Sequence, residues 1–420
     1  MVLDARLERG AAAPIAVAFS GGGDSLALLL FAKAWAGNAG RRLLALTVDH
    51  RIQAAGADWA RWCAARAAAL GVEHRTLVWE ADKPVAGLAV AARKARHGLI
   101  AEAARAAGAR VILFGHTGDD VIEAQAMRLE GLSVPSPREW SPSPVWPEGR
   151  DLFILRPLLN VRRAAIRAFL AEAGETWIED PANADPIQPR ARVRALIAAA
   201  GGSPRPEPPP DDLAGLFAAA TLGPSGDLSL PARTFGEASP DPRRRFLAAA
   251  IACVSGGGPP ARGPFFHRLA GLALGEASFS STIGGARTFG DGETLRIVRE
   301  VSDRRSRPAG EMALAAGERV VWDGRFEVAP REAGLTIGPL AGKASRLGPA
   351  ARAALAHLSP AVRRALPAIV DARGEVACLG LGDDPRVAAR VLVRARLAGA
   401  CGMIRTEAQA REGTADGLVL

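Results

Sequence analysis

Cysteine is scarce in this chain of 420 residues: Cys63, Cys253, Cys378 and Cys401 are the whole set, and none forms a C-x-x-C pair. That scatter excludes a disulfide framework and a zinc site written into the sequence. Long apolar runs are missing, so no membrane span and no membrane partner are expected. A secretory leader is not expected either, because Asp4 and Glu8 occupy what would be its basic region and the following apolar run enters a glycine loop, so a cytoplasmic location is expected. Internal repeats are absent, and so is tyrosine. Acid is in deficit: 44 acidic residues face 53 basic ones, for a formal charge of +9 and a pI near 10.4. The imbalance points to a polyanionic partner, although heavy Ala, Arg, Gly and Pro usage would produce it equally well. The length allows two or three domains with sizeable cores.

The most informative stretch is Ser20, Gly21, Gly22, Gly23, Asp24 and Ser25. Ahead of it, the continuous apolar run over 15–19 predicts a buried strand; behind it, Leu26, Leu29, Leu30 and Lys33 recur at helical spacing. The six residues therefore make a tight strand-to-helix turn. Glycines let backbone close around a ligand, and the new helix aims N–H groups and its positive dipole end into the same space. Two serine hydroxyls add hydrogen bonds to phosphate oxygens, and Asp24 is placed to hold Mg²⁺. No Gly-Lys-Ser/Thr follows, which excludes a Walker A loop, and Leu26 sits where a dinucleotide fingerprint needs its third glycine. A plain glycine turn with a serine cap is the competing reading.

Further strands are predicted over 43–48, 72–79, 110–114 and 151–155, with helices between them and a long Ala-rich helix over 88–107. This alternation predicts an α/β fold with a doubly wound, mostly parallel sheet. Ligands then sit beyond the carboxyl ends of the strands. Polar clusters fall there at 20–25, at Asp49 and His50, and at 116–120. Five prolines within 204–210 mark a linker. The expected organisation is a catalytic domain over 1–203, a linker over 204–212, a helical domain over 213–281 and a small α+β domain over 282–420. Residues 386–405 carry five arginines and no acid, either a basic face or a solvated surface helix.

Taken in order, SGGGDS at 20–25, VDH at 48–50, HTGDDVIE at 116–123, and EDPANADP with RARVR within 179–194 resemble the tRNA(Ile)-lysidine synthetases, a branch of the N-type ATP pyrophosphatases. AARKARH at 91–97 joins the match, and WDGRF at 322–326 is a fainter echo. The strong resemblance covers about residues 14–197. SGGxDS is shared by many ATP pyrophosphatases, whereas the 179–194 segment is far more discriminating. Val121 and Ala124 depart from the family's Gln and Thr, and His97 stands in for Tyr. Over 130–149 a Pro/Trp-rich insertion, expected near the RNA, replaces a Gly-rich stretch.

The resemblance implies an adenine-nucleotide alpha-hydrolase-like fold and a C–N ligase that uses ATP and Mg²⁺. Its substrates would be free L-lysine and isoleucine tRNA with a CAU anticodon. The wobble cytidine is adenylated at its 2-carbonyl oxygen, pyrophosphate leaves, and the lysine ε-amine displaces AMP. On this reading Ser20 to Ser25 grip ATP, with Asp24 on the metal. Asp120, with Asp119 beside it, takes the proton of the incoming ammonium, and His116 contacts the α-phosphate or orients Asp120. Asp49 and His50 border the adenine or ribose. Arg93, Arg96, Arg190, Arg192 and Arg194 contact phosphates, and the later domains hold the tRNA. Two alternatives stand beside it: a tRNA thiolation enzyme on the same fold, which needs cysteines near the pocket, and an inactive RNA-binding adaptor, motivated by Val121 and the altered loop.

Overall fold

A computed structural model describes residues 2–132, 134–180, 193, 213–257, 265–273, 278–301 and 310–415. The predicted linker, most of the turn-rich loop after Asp180, and Arg190, Arg192 and Arg194 lie outside the described residues. The chain divides into two compact units, one of residues 1–209 with 405–412, the other of 210–404 with 413–420.

The first unit opens with α1 (Val2–Arg6) and β1 (Ile15–Ala18), followed by α2 (Gly23–Ala39), β2 (Leu43–Asp49) and α3 (Gly56–Ala69). Then come β3 (Glu73–Val78), α4 (Leu88–Ala106), β4 (Val111–Leu113), α5 (Gly118–Leu129), β5 (Trp140–Pro142), β6 (Phe153–Leu155) and α6 (Arg163–Glu172). The strands form one sheet in the order β3-β2-β1-β4-β6-β5, parallel except for the edge strand β5. Period-two alternation sorts the side chains to two faces. Ile15 and Val17 pack with Leu26, Leu29, Ile166 and Leu170 on one side; Ala16, Leu44 and Ile154 pack with Ile100 and Ala104 on the other. Burial on both faces explains why these strands are continuous apolar runs rather than alternating ones.

Strand order reverses at β1, whose neighbours are β2 and β4. At such a reversal a crevice opens at the carboxyl end of the sheet. The loop at 20–25 and the segment at 116–120 follow these two strands directly. Strand β5 was not anticipated; its three residues lie inside the Pro/Trp-rich insertion and pair antiparallel with β6. Pro142 is tolerated there because an edge strand needs donors on one side only.

In the second unit, α7 (Ala214–Ala219), β7 (Thr221–Leu222), β8 (Leu228–Pro231), α8 (Ala232–Glu237), α9 (Pro240–Val254) and α10 (Phe265–Leu272) precede β9 (Phe279–Ile283), β10 (Ala286–Gly290) and β11 (Thr294–Arg299). The sheet β7-β8-β11-β10-β9 runs across residue 282, where the change of texture was read as a boundary. Leu228 and Phe246 share a core with Leu295, Phe326 and Val391, so backbone pairing and burial join the helical and β-rich stretches. The rest comprises β12 (Met312–Leu314), β13 (Val320–Trp322), β14 (Phe326–Pro330), β15 (Leu335–Pro339), α11 (Pro349–Ala356), α12 (Pro360–Ala365), β16 (Pro367–Val370), β17 (Val376–Cys378), β18 (Val387–Val391) and α13 (Val393–Ala400).

The arginine run at 386–405 is neither a basic face nor one surface helix. It spans β18 and α13, and Arg386 pairs with Asp384 and Asp371, Arg390 with Glu327, while Arg396 donates to the Ala252 carbonyl. The WDGRF echo has a structural role: Asp323 accepts from the buried Arg299 and Arg325 together.

Residues 405–412 return to the first unit rather than staying with 282–404. Glu407, which opens α14 (Glu407–Ala415), is buried and meets Arg41 at 2.8 Å through both carboxylate oxygens; it also accepts the Glu8 N–H. A buried pair broken on one side leaves an uncompensated charge, so this contact holds the segment in place.

Candidate active site

The loop after β1 keeps its predicted form. Gly21 has φ +79°, and a Cβ there would lie 2.4 Å from Ile178 Cδ1 and 3.0 Å from Cys63 Sγ. Ile178 in turn donates its N–H to the Gly21 carbonyl at 2.9 Å. Gly22 is the N-cap of α2 and offers no side-chain cap, so the leading amides of the helix remain for a ligand. Ser25 Oγ donates to the Gly22 carbonyl at 2.8 Å and accepts from the Ser20 N–H at 3.2 Å. Its one proton being committed, Ser20 Oγ is the donor in the 3.2 Å contact between the two hydroxyls. The serines brace the loop.

Gly115, after β4, packs on the first turn of α2: a Cβ there would stand 3.0 Å from the Asp24 carbonyl oxygen. This close approach brings the two crevice loops together. Asp120 Oδ2 accepts from the N–H and hydroxyl of Thr117, the return half of a capping box. Asp119 accepts from the Arg163 N–H at 2.6 Å and from the Arg162 guanidinium. Burial would raise Asp119, but those hydrogen bonds and charges outweigh it and hold its carboxyl below the usual value.

Arg163 joins the two loops. Its guanidinium reaches Asp24 Oδ2 at 2.9 Å, Glu123 Oε1 at 3.3 Å and Asp120 Oδ2 at 3.5 Å. Positions 24 and 120 therefore share one cation. Burial is the largest influence on Asp24 and raises its carboxyl, against the pull of Arg163. Asp24 Oδ1 is buried and has no hydrogen-bond partner among the described residues.

His116 stacks on Phe114 with centroids 5.9 Å apart, and Phe114 stacks on the buried His97 at 5.1 Å. Burial, reinforced by Arg96 and Arg93, pushes His97 down to about 2. His116 Nδ1 accepts from Arg156 Nε at 3.2 Å. Beyond β2, Asp49 Oδ1 accepts the Arg51 N–H and backs onto Gly56, so part of its polarity serves a turn. His50 lies edge-on to Trp79 and is lowered by burial and by Arg96. The charges of Arg93 and Arg96 thus act on His97 within α4 and on His50 and Arg156, which follow β2 and β6.

The PP-loop domain family matches residues 3–200. A tRNA(Ile)-lysidine synthase of Caulobacter vibrioides is 43% identical over 411 residues, covering 96% of this chain and 97% of its own. The chain belongs to the tRNA(Ile)-lysidine synthase family. The enzymes of that name from Hyphomonas neptunium and Rhizobium meliloti are 34% and 36% identical, covering 65% and 77% of this chain and 78% and 74% of their own. A solved U34-tRNA thiolase, NcsA of Methanococcus maripaludis, is similar at 15% identity and TM-score 0.40, covering 47% of this chain and 69% of its own, too slight a likeness to carry an argument.

For this member of the lysidine synthase family, sequence reading missed three residues that complete the cluster: Arg163, Glu123 and Arg156. Glu123 lies three residues after Asp120, on the same helical face, and Arg156 directly follows β6, so spacing and the strand-end rule pointed to both. Nothing local separates Arg163 from the adjacent Arg162; only the packing of α6 aims one at the crevice. No helix among the described residues is long and apolar enough to cross a membrane.

Proposed function

We propose that this chain ligates free L-lysine to C2 of the wobble cytidine of isoleucine tRNA bearing a CAU anticodon, converting ATP to AMP and pyrophosphate. ATP use accords with the PP-loop domain. The observation that carries the reading is the Arg163 bridge, which joins the phosphate-cradle loop to the α5 carboxylates in one crevice.

The amides that open α2 receive the departing pyrophosphate, with Ser20 and Ser25 shaping the loop around it. Attack by the cytidine 2-carbonyl oxygen on the α-phosphate leaves an adenylated base. An unpaired anticodon base reaches the crevice without duplex opening. His116, held by Phe114 and Arg156, is assigned to hydrogen-bond the α-phosphate. The lysine ammonium competes with Arg163 for Asp120 and Glu123, loses its proton to that pair, and attacks C2 as AMP departs. Asp119 is assigned to fixing Arg162 and Arg163.

Among the described residues no three His, Cys, Asp or Glu side chains form a metal cluster. Mg²⁺ commonly takes one or two carboxylates and completes its shell with substrate phosphates, and the orphaned Asp24 Oδ1 fits that donor set. When bound, Mg²⁺ would neutralise charge on the separating phosphates. Asp49 and His50 border the nucleoside. Arg93 and Arg96, with Arg190, Arg192 and Arg194, contact phosphates, and the second unit holds the tRNA body through salt-dependent contacts.

The test is purified protein with ATP, radiolabelled lysine and the CAU-anticodon tRNA. Lysine incorporation matched by AMP release is expected; tRNA binding with no incorporation refutes the proposal.

A further inference from the structure

The insertion over 130–149 has no part in the chemistry above, yet it is built into the sheet. Trp140 pairs with Leu155 and stacks on Phe153 with centroids 5.2 Å apart. Glu139 accepts from Arg6 Nε at 2.9 Å, and its carbonyl takes the Arg156 N–H at 2.8 Å. The strand thus runs alongside β6 as far as Arg156, the residue that leaves the sheet at the crevice.

Arg156 is buried at 8% exposure. Its guanidinium donates to the Arg138 carbonyl at 2.7 Å, the Ser141 hydroxyl at 3.0 Å and His116 Nδ1 at 3.2 Å. Two of these three acceptors belong to the insertion, and none is a carboxylate. Burying a guanidinium against neutral acceptors is costly, so shape-filling alone is a poor account of it. A guanidinium has donors only. His116 Nδ1 must then be the acceptor and carry no proton, which puts the single proton of the neutral ring on Nε2. Stacking on Phe114 fixes the ring plane, and Arg156 fixes which edge faces which way.

We propose that the insertion is a brace for His116, with Arg156 and Ser141 as positioning residues that hold its imidazole in the Nε2–H tautomer. The inference rests on the reading of His116 as a group that contacts the reacting phosphate.

Full-length protein labelled with ¹⁵N at histidine reads the tautomer through two-bond ¹⁵N–¹H couplings, with His116→Asn assigning the ring. Wild type should show a bare Nδ1 and a protonated Nε2. Arg156→Met, which keeps length and loses every donor, should give mixed tautomers. Its kcat for lysidine formation should fall by roughly 10- to 100-fold, below the full worth of an acid–base group, with KM for ATP within about twofold. Arg156→Gln retains an N–H for Nδ1 and should recover part of both signals. Ser141→Ala, at a half-exposed edge position, should shift both in the same direction by a smaller factor, and it decides the matter if Arg156→Met does not fold. An unshifted ring in these variants, whether or not kcat falls, overturns the proposal. Full turnover by His116→Asn would instead sink the catalytic reading of His116, while the couplings still judge the brace.

Discussion

Removing the cation that Asp24, Asp120 and Glu123 share should be the most damaging single change in the crevice. In Arg163→Met the three carboxylates keep their places and lose their common partner. Their side chains are 21%, 12% and 2% exposed, so water replaces little of what is lost, least of all at Glu123. Each pair is worth about 4 kcal/mol at 4 Å under an effective dielectric of 20, and desolvation offsets much of that sum. Breaking a buried pair from one side costs about 3–5 kcal/mol. Arg163 is itself 23% exposed, which places the estimate at the lower end, about 3 kcal/mol. For a unit of this size that is a fall of about 6–12 °C in Tm. Tryptophan fluorescence is a suitable probe, because every tryptophan except Trp322 lies in the first unit. Adding Glu123→Gln removes the most buried stranded charge and should return about 1–3 kcal/mol as a coupling energy. A melt within about 2 °C of wild type, or strict additivity in the double variant, would refute the idea that Arg163 holds the cluster together.

Asp24→Ala should abolish lysine incorporation and leave tRNA affinity near wild type in filter binding; surviving turnover removes Asp24 from the metal site. Gly21→Ala forces a Cβ into left-handed backbone (φ +79°) and against Ile178. About 1–3 kcal/mol of strain and at least tenfold weaker ATP binding by calorimetry are expected, and a wild-type isotherm contradicts the cradle. His97, depressed from 6.5 to about 2 by burial, stays neutral when folded and takes a proton when unfolded below pH 6.5. Its contribution is complete above pH 6.5 and declines as pH falls toward 2, by about 1.4 kcal/mol per unit. Between pH 6.5 and 5.0, wild type should therefore lose about 2 kcal/mol more than His97→Phe in urea melts, and parallel curves would show that His97 is not buried as the neutral ring.

Several strand predictions, 15–19 and 43–48 among them, lie close to strands in the fold because parallel strands covered on both faces are written as unbroken apolar runs. The cradle was legible for a similar reason: a glycine needed for left-handed backbone or for an approach that excludes Cβ is a local requirement, visible residue by residue. Asp24, His116 and Asp120 stood out because core packing gives no reason for polar side chains directly after apolar strands.

Other features depended on distant partners. Strand β5 is three residues with a proline and becomes a strand only because β6 supplies its ladder. The arginines of 386–405 read as a basic face or a solvated surface helix, and Asp371, Asp384 and Glu327, which pair with two of them, come from elsewhere in the chain or just ahead of the run. Arg163 cannot be told from Arg162 by residue type, since both open the same helix; which one enters the crevice depends on how α6 rolls against α2. Local sequence determined where the backbone turns and which strands are buried, because those follow from sterics and hydropathy over a few residues. Tertiary structure alone decided which charges meet, because an ion pair depends on the separation of two heads that the chain brings together from positions 24, 120, 123 and 163.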